Sequence, residues 1–236
     1  MQNKPRNYSY TNSAFFNVLS EQITPSLNNS LRILMIGDVV GQPGRTALKK
    51  LVPLLKKSFG VDFVTVNGEN LAGGFGITEK IYLSLMELGI DAFTMGNHWK
   101  DKKDIFVLRE KYNNIILPQN LCDVSGVENV PVFYVENKKK YVHVFNLMGQ
   151  FAMKDNYKNP FQFLVNKKEN YLDKVNSSSH VLIADIHAEA TSEKQAMAWL
   201  YNGLFAALIG THTHTPTFDA RLTEQGTAFV SDVGMT

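Results

Sequence analysis

The sequence predicts an α/β domain built on a largely parallel sheet. Short apolar runs at 31–36, 61–66 and 91–95 alternate with stretches that carry helix signals, the pattern of strand–helix units. Pro43 opens one helix, Thr78 caps a second and Gly89 stops it. A chain of 236 residues, 44% apolar and 19% charged, has ordinary globular composition and can bury a sizeable core as one large domain or two small ones.

Residues 1–30 differ from the rest. They are rich in Asn, Ser, Gln and Tyr, contain Pro5 and Pro25 and show no sustained period, so they read as an N-terminal extension, a mobile or loosely docked arm. Regularity begins at Leu31, and 31–236 is taken as the folded domain. The first strand, 31–36, runs into Gly37-Asp38-Val39-Val40-Gly41. The helix after Pro43 places Ala47, Leu48, Leu51, Val52, Leu54 and Leu55 on its apolar side. A second strand, 61–66, ends in Asn67-Gly68-Glu69-Asn70 and passes through the Gly-rich loop 72–76. A helix over 78–88 and a strand over 91–95 follow, and that strand ends in Gly96-Asn97-His98.

The middle of the chain changes character. Residues 115–117, 130–135 and 141–147 are strand-like, the last two joined by a polar turn at 136–140. Residues 160–175 read as helical. The apolar strand 181–186 ends in His187, a helix spans 192–201, and a buried strand over 204–209 ends in Gly210-Thr211-His212-Thr213-His214. Two further runs, 217–222 and 227–232, form a closing hairpin around 224–226.

Lys and Arg total 24 against 22 for Asp and Glu, a net charge of +2. That balance gives no electrostatic case for duplex nucleic acid or an anionic membrane as the main partner. Cys122 is the only cysteine, so no internal disulfide forms, which fits a reducing, cytoplasmic setting. It reads as a small, buried or half-buried hydrophobe. No segment approaches the ~18 apolar residues of a membrane span, and the patch at 14–19 is too short for a signal-peptide core.

The strand ends carry Asp38, Glu69 with Asn70, Asn97 with His98, His187, and His212 with His214. In open α/β sheets, ligands bind beyond the carboxyl ends of the strands. Asp, Asn and Gly often begin loops, but that does not explain why four of the six histidines fall at strand ends. Mixed carboxylate, amide and imidazole donors in this number suit two divalent ions roughly 3.5–4 Å apart, bridged by a carboxylate and a hydroxide. The identity of the ions stays open among Mn, Fe, Zn and Ni.

These residues resemble the calcineurin-like metallophosphoesterase superfamily, and within it the YmdB-like branch. The resemblance rests on GDVVGQPGR at 37–45, NGEN at 67–70, AGGFGIT at 72–78, GNH at 96–98, HAEATSEK at 187–194, GTHTH at 210–214 and SDVGMT at 231–236. It covers essentially 31–236. Val40 stands where most of the superfamily has a histidine, and Glu69 where it has the bridging Asp; both departures are typical of the branch. The resemblance implies a four-layer αββα sandwich. It places Asp38, Glu69, Asn70 and His214 around one ion, and Glu69, Asn97, His187 and His212 around the other, with Glu69 bridging.

His98 would then sit beside the ions as a general acid or hydrogen-bond donor to the leaving oxygen. The implied function is a metal-dependent phosphodiesterase acting on 2′,3′-cyclic nucleotides through a metal-bridging hydroxide. A phosphomonoesterase and a metal-binding regulatory module with little turnover are the alternatives. Relatives of the branch continue past the GMT motif, so a C-terminal part of the fold is expected to be missing, and association into a homo-oligomer is expected. His143, His180, Trp99 and Trp199 read as satisfied or packing residues. Gly73, Gly74 and Gly76 either wrap a substrate phosphate or only let the loop turn.

Overall fold

The computed structural model describes residues 30–236 apart from 155, 156, 174 and 176. All but the last residue of the expected N-terminal extension therefore lies outside the described residues. The elements run β1 (Ile33–Ile36), α1 (Gly41–Phe59), β2 (Phe63–Asn67), α2 (Glu79–Met86), β3 (Ala92–Thr94), α3 (Asp104–Lys111), β4 (Ile115–Ile116), β5 (Val132–Val135), β6 (Lys140–Met148), α4 (Pro160–Lys167), β7 (His180–His187), α5 (Thr191–Leu200), β8 (Ala207–Thr211), β9 (Arg221–Leu222) and β10 (Ala228–Val230).

The strands form two sheets. The first, ordered β1-β2-β3-β4, is parallel throughout. The second has the order β5-β6-β7-β8-β10-β9. Its four inner strands are parallel to one another, while β5 and β9 pair antiparallel at its edges.

Alternation along the strands separates the layers. Phe63, Ala92 and Ile116 of the first sheet share one buried cluster with Val142, Val144 and Ile183 of the second, so the two sheets pack face to face. The opposite face of the first sheet, Val64, Val66 and Phe93, packs on Leu48 and Val52 of α1, Tyr82 and Leu85 of α2, and Ile105 and Leu108 of α3. The outer face of the second, Phe145, Leu147, Ala184, Ile186 and Leu208, packs on Leu164 of α4 and on Met197 and Ala198 of α5. The result is helices, sheet, sheet, helices: the αββα sandwich. No helix among the described residues is long and apolar enough to cross a membrane.

Several sequence expectations are corrected. On α1 only Leu48 and Val52 of the six apolar side-chain positions are buried, while Leu51 and Leu54 are 41% and 52% exposed. The sheet takes a single (i, i+4) pair from the apolar side of this helix. α3 is an element that the sequence expectations lack. The strand expected from Leu204 begins at Ala207, with Phe205 instead a buried plug below it. Trp199 does not pack: it is 69% exposed, whereas Trp99 is buried and meets Phe106 edge-on. The closing hairpin forms over a shorter stretch than expected, and β10 also extends the sheet beside β8. The Thr78 cap holds, its hydroxyl accepting from Ile81 N.

Candidate metal centre

Because the inner strands of both sheets point the same way, their carboxyl ends meet at one edge of the sandwich, where apolar packing gives way to polar side chains. Glu69 lies there just past β2, 1% exposed, and Asp38 just past β1, fully buried. His187 ends β7, also fully buried. His212 and His214 follow β8 with φ of 99° and 59°. Left-handed backbone of this kind costs a non-glycine residue on the order of 1–3 kcal/mol. It also turns both imidazoles, which would point in the same direction on an extended strand, into one site.

Two groups of potential ligand atoms result. One joins Glu69, His187 and His212; the other joins Asp38, Glu69 and His214; in each the atoms lie within 4.8 Å of one another. Glu69 belongs to both. Asn97 joins the first group, its Oδ1 2.9 Å from His187 Nε2. Asn70 follows Glu69 directly, with its Nδ2 donating to Gly74 O at 2.9 Å. All seven residues expected to ligate thus converge on this edge.

The donor set fits metal ions on two further counts. Among the described residues, Asp38 Oδ1 and Asn70 Oδ1 are buried without a hydrogen-bond partner, a costly state for oxygen atoms that a cation would relieve. In addition, a Cβ at Gly96 would collide with Glu69 Oε2 and His187 Nε2. Glycine at 96 therefore keeps open the space between two of the candidate ligands.

The electrostatics are those of carboxylates and imidazoles packed into one buried site. Burial alone would push the His187 imidazole down, but Glu69, then Asp38 and Asp185, hold it up at about 9. Burial raises the Asp38 carboxyl to about 6, against the pull of His187 and with Glu69 adding to the rise. Glu69 goes the other way, to about 2: although burial acts to raise it, His187 and the backbone N–H of His98 outweigh that burial. Burial and the charge on His187 lower His212 to about 4.

Residues that sequence reasoning missed orient the candidate ligands. Asp185, two positions before His187 on the same strand face, is almost fully buried. Its Oδ1 accepts from Thr211 Oγ1 at 2.6 Å, and its Oδ2 from Thr94 Oγ1 at 2.5 Å and Asn67 Nδ2 at 2.9 Å. Thr211 Oγ1 in turn lies 2.9 Å from His187 Nδ1. An Nδ1–H donated to this hydroxyl leaves Nε2 for the centre, as in carboxylate–histidine–metal arrangements. Glu189 Oε2, 3.1 Å from His212 Nε2, does the same for His212 and leaves Nδ1 facing inward. The only sequence signal for Asp185 is a lone carboxylate in an otherwise apolar strand.

His98 stands beside the two groups, outside both. Its backbone N–H donates to Glu69 Oε2 at 2.9 Å, and its Nδ1 is 2.7 Å from Asp101 Oδ2. Asp101, a further residue that the motifs do not single out, favours the Nδ1–H form of His98, in which Nε2 carries no proton. Phe75, 51% exposed on the Gly-rich loop, meets the His98 ring edge-on at 5.0 Å. In that loop Gly73, Gly74 and Gly76 all have positive φ, and Gly74 N donates back to Asn70 O at 3.0 Å, so the glycines turn the loop tightly onto the ligand strand end.

Comparison with known proteins identifies the family. A 2′,3′-cyclic-nucleotide 2′-phosphodiesterase of Bacillus subtilis (strain 168) is 43% identical over 206 residues, covering 87% of this chain and 75% of the relative. The crystal structure of a novel phosphatase from Mycoplasma pneumoniae superposes with a TM-score of 0.77 at 35% identity, covering 88% of this chain and 73% of that one. A hypothetical protein from Thermus thermophilus has the same TM-score at 33% identity, over 87% of this chain and 77% of its own. The family model described as YmdB-like protein matches residues 34–236, and the chain belongs to that family.

Proposed function

We propose that this chain is a dinuclear-metal-dependent phosphodiesterase acting on 2′,3′-cyclic nucleotides. The observation that carries the proposal is the position of Glu69. Its carboxylate belongs to both candidate ligand groups, and the backbone N–H of His98 fixes it at the same time. Two divalent ions held between Asp38, Glu69, Asn70 and His214 on one side and Glu69, Asn97, His187 and His212 on the other would supply an activated water and neutralise phosphoryl charge. The similarity to a cyclic-nucleotide phosphodiesterase of B. subtilis supports the substrate class.

His98 supplies what a bound cation cannot, a proton for the departing ribose oxygen. With Nδ1–H engaged by Asp101, the protonated ring donates from Nε2. As water adds to phosphorus and gives up a proton to solvent, the bond from phosphorus to the ribose oxygen breaks and that oxygen takes the His98 proton. This donation is made mainly in the transition state. Loss of His98 therefore lowers kcat by roughly 10²–10⁴-fold with metal content unchanged. His187→Ala behaves differently, losing metal and activity together. Turnover of a 2′,3′-cyclic nucleotide, measured beside metal content for wild type and both variants, tests the assignment. A His98→Ala protein with its metals and wild-type turnover refutes the acid role. Hydrolysis of monoesters alone makes the chain a phosphomonoesterase. A metal-loaded wild type that turns over no phosphoester makes it a binding module.

A further inference from the structure

The loop carrying both histidines of the His-x-His motif is gripped by a buried ion pair that belongs to neither ligand group. Lys194 points inward from α5 and is fully buried, as is Asp232 after β10. Lys194 Nζ donates to Thr211 O at 2.7 Å and to Asp232 Oδ2 at 2.9 Å. The same Oδ2 accepts from Thr213 N at 3.1 Å and Thr213 Oγ1 at 2.9 Å, and Asp232 Oδ1 accepts from Gly234 N at 2.8 Å. The pair therefore holds Thr211 and Thr213, the residues that alternate with His212 and His214.

The loop lies flush against this support. A Cβ at Gly210 would collide with Ser231 O and fall 2.7 Å from Lys194 Cδ, so only glycine allows the approach. A buried ion pair is a poor choice for stability alone, because desolvation offsets its attraction and apolar residues of similar volume serve a fold as well or better. Here it sits under two histidines whose positive φ persists only if the surroundings over-determine it.

We infer that Lys194 and Asp232 are positioning residues for the metal centre: by anchoring Thr211 and Thr213 they force His212 and His214 toward separate ions. The inference rests on the metal-centre reading given above. Neither residue belongs to the candidate ligand groups; they hold the loop by its backbone at Thr211 and Thr213 and by the Thr213 hydroxyl.

The test is titration of the metal-free chain with Co²⁺ alone, read by its visible ligand-field spectrum. The wild type is compared with the double variant Lys194→Met/Asp232→Asn, which removes the charge pair without leaving one charge buried and unpaired. Leu164→Ala, a cavity variant in the outer core away from the loop, controls for lost stability. The double variant, folded by circular dichroism, is expected to bind Co²⁺ about 10–100-fold more weakly with an altered spectrum, the range for residues that orient ligands. Leu164→Ala is expected to keep wild-type affinity. If the double variant does not fold, Thr213→Val, which removes only the hydroxyl donated to Asp232 and strands no charge, serves as the comparison, with a weaker affinity again expected.

Wild-type affinity and spectrum in a folded clamp variant overturn the inference. So does an equal loss of affinity in Leu164→Ala, since the effect would then be general destabilisation. A wild type that takes up no Co²⁺ removes the metal-centre reading itself, a failure distinct from that of the clamp.

Discussion

Gly96 measures how little room the centre leaves. Its missing side chain keeps open the space between Glu69 Oε2 and His187 Nε2, so Gly96→Ala puts a methyl group against both candidate ligand atoms. We expect Gly96→Ala to lose the ion of the Glu69–His187–His212 group, and elemental analysis showing about one ion per chain fewer than wild type checks it. A protein with full metal content would place the ion elsewhere. The seven candidate ligands and His98 were legible in the sequence because a parallel sheet sends every strand end to the same edge, and ligand-type residues clustered there are conspicuous. The supporting residues were not. Asp185 is a single polar residue in an apolar strand, while Lys194 and Asp232 stand inside the motifs at 187–194 and 231–236, which do not reveal that the two side chains are buried and paired. Asp101 is one acidic residue in a charged loop.

Among the elements, β6 and α3 show where patterning informs and where it fails. Every residue of β6 from Val142 to Met148 is buried, because one face meets the first sheet and the other meets α4. Its apolar run therefore announces a central strand but not the second layer, which is why two sheets were not visible in the strand–helix alternation. Phe145, fully buried against Phe205, carries much of the outer core, and Phe145→Ala should cost about 3–5 kcal/mol in denaturant unfolding. In α3 the consecutive Ile105, Phe106, Val107 and Leu108 blur the helical period. Ile105 and Leu108 are buried, while Phe106 and Val107 face out.

At the other end of β6, His143 is buried, with Nδ1 on the Tyr171 hydroxyl and Nε2 2.7 Å from His180 Nδ1. Burial first, then the nearby His180, push its imidazole down to about 4, below the ~6.5 of an unfolded chain. The folded protein thus binds the proton less readily than the unfolded chain. This stability is present above pH ~6.5 and is lost as pH falls through about 4. His143→Phe should flatten the stability profile over that window, as followed by denaturant midpoints; an unchanged slope would exclude His143 as its source.

Across the whole molecule, the two sheets bring Asp38, Glu69, Asn70 and Asn97 from one side to His187, His212 and His214 from the other. The seven proposed ligands all lie between Asp38 and His214, so deletion of residues 1–29 should leave metal content unchanged, as elemental analysis of the shortened chain would show. The two-ion reading stands on the shared carboxylate of Glu69, and metal stoichiometry addresses it without intermediaries. The wild-type chain, purified without chelators, should carry close to two transition-metal ions, and Glu69→Ala should lose most of both. Wild-type protein that is metal-free and takes up none on titration, or Glu69→Ala that keeps both ions, would contradict it.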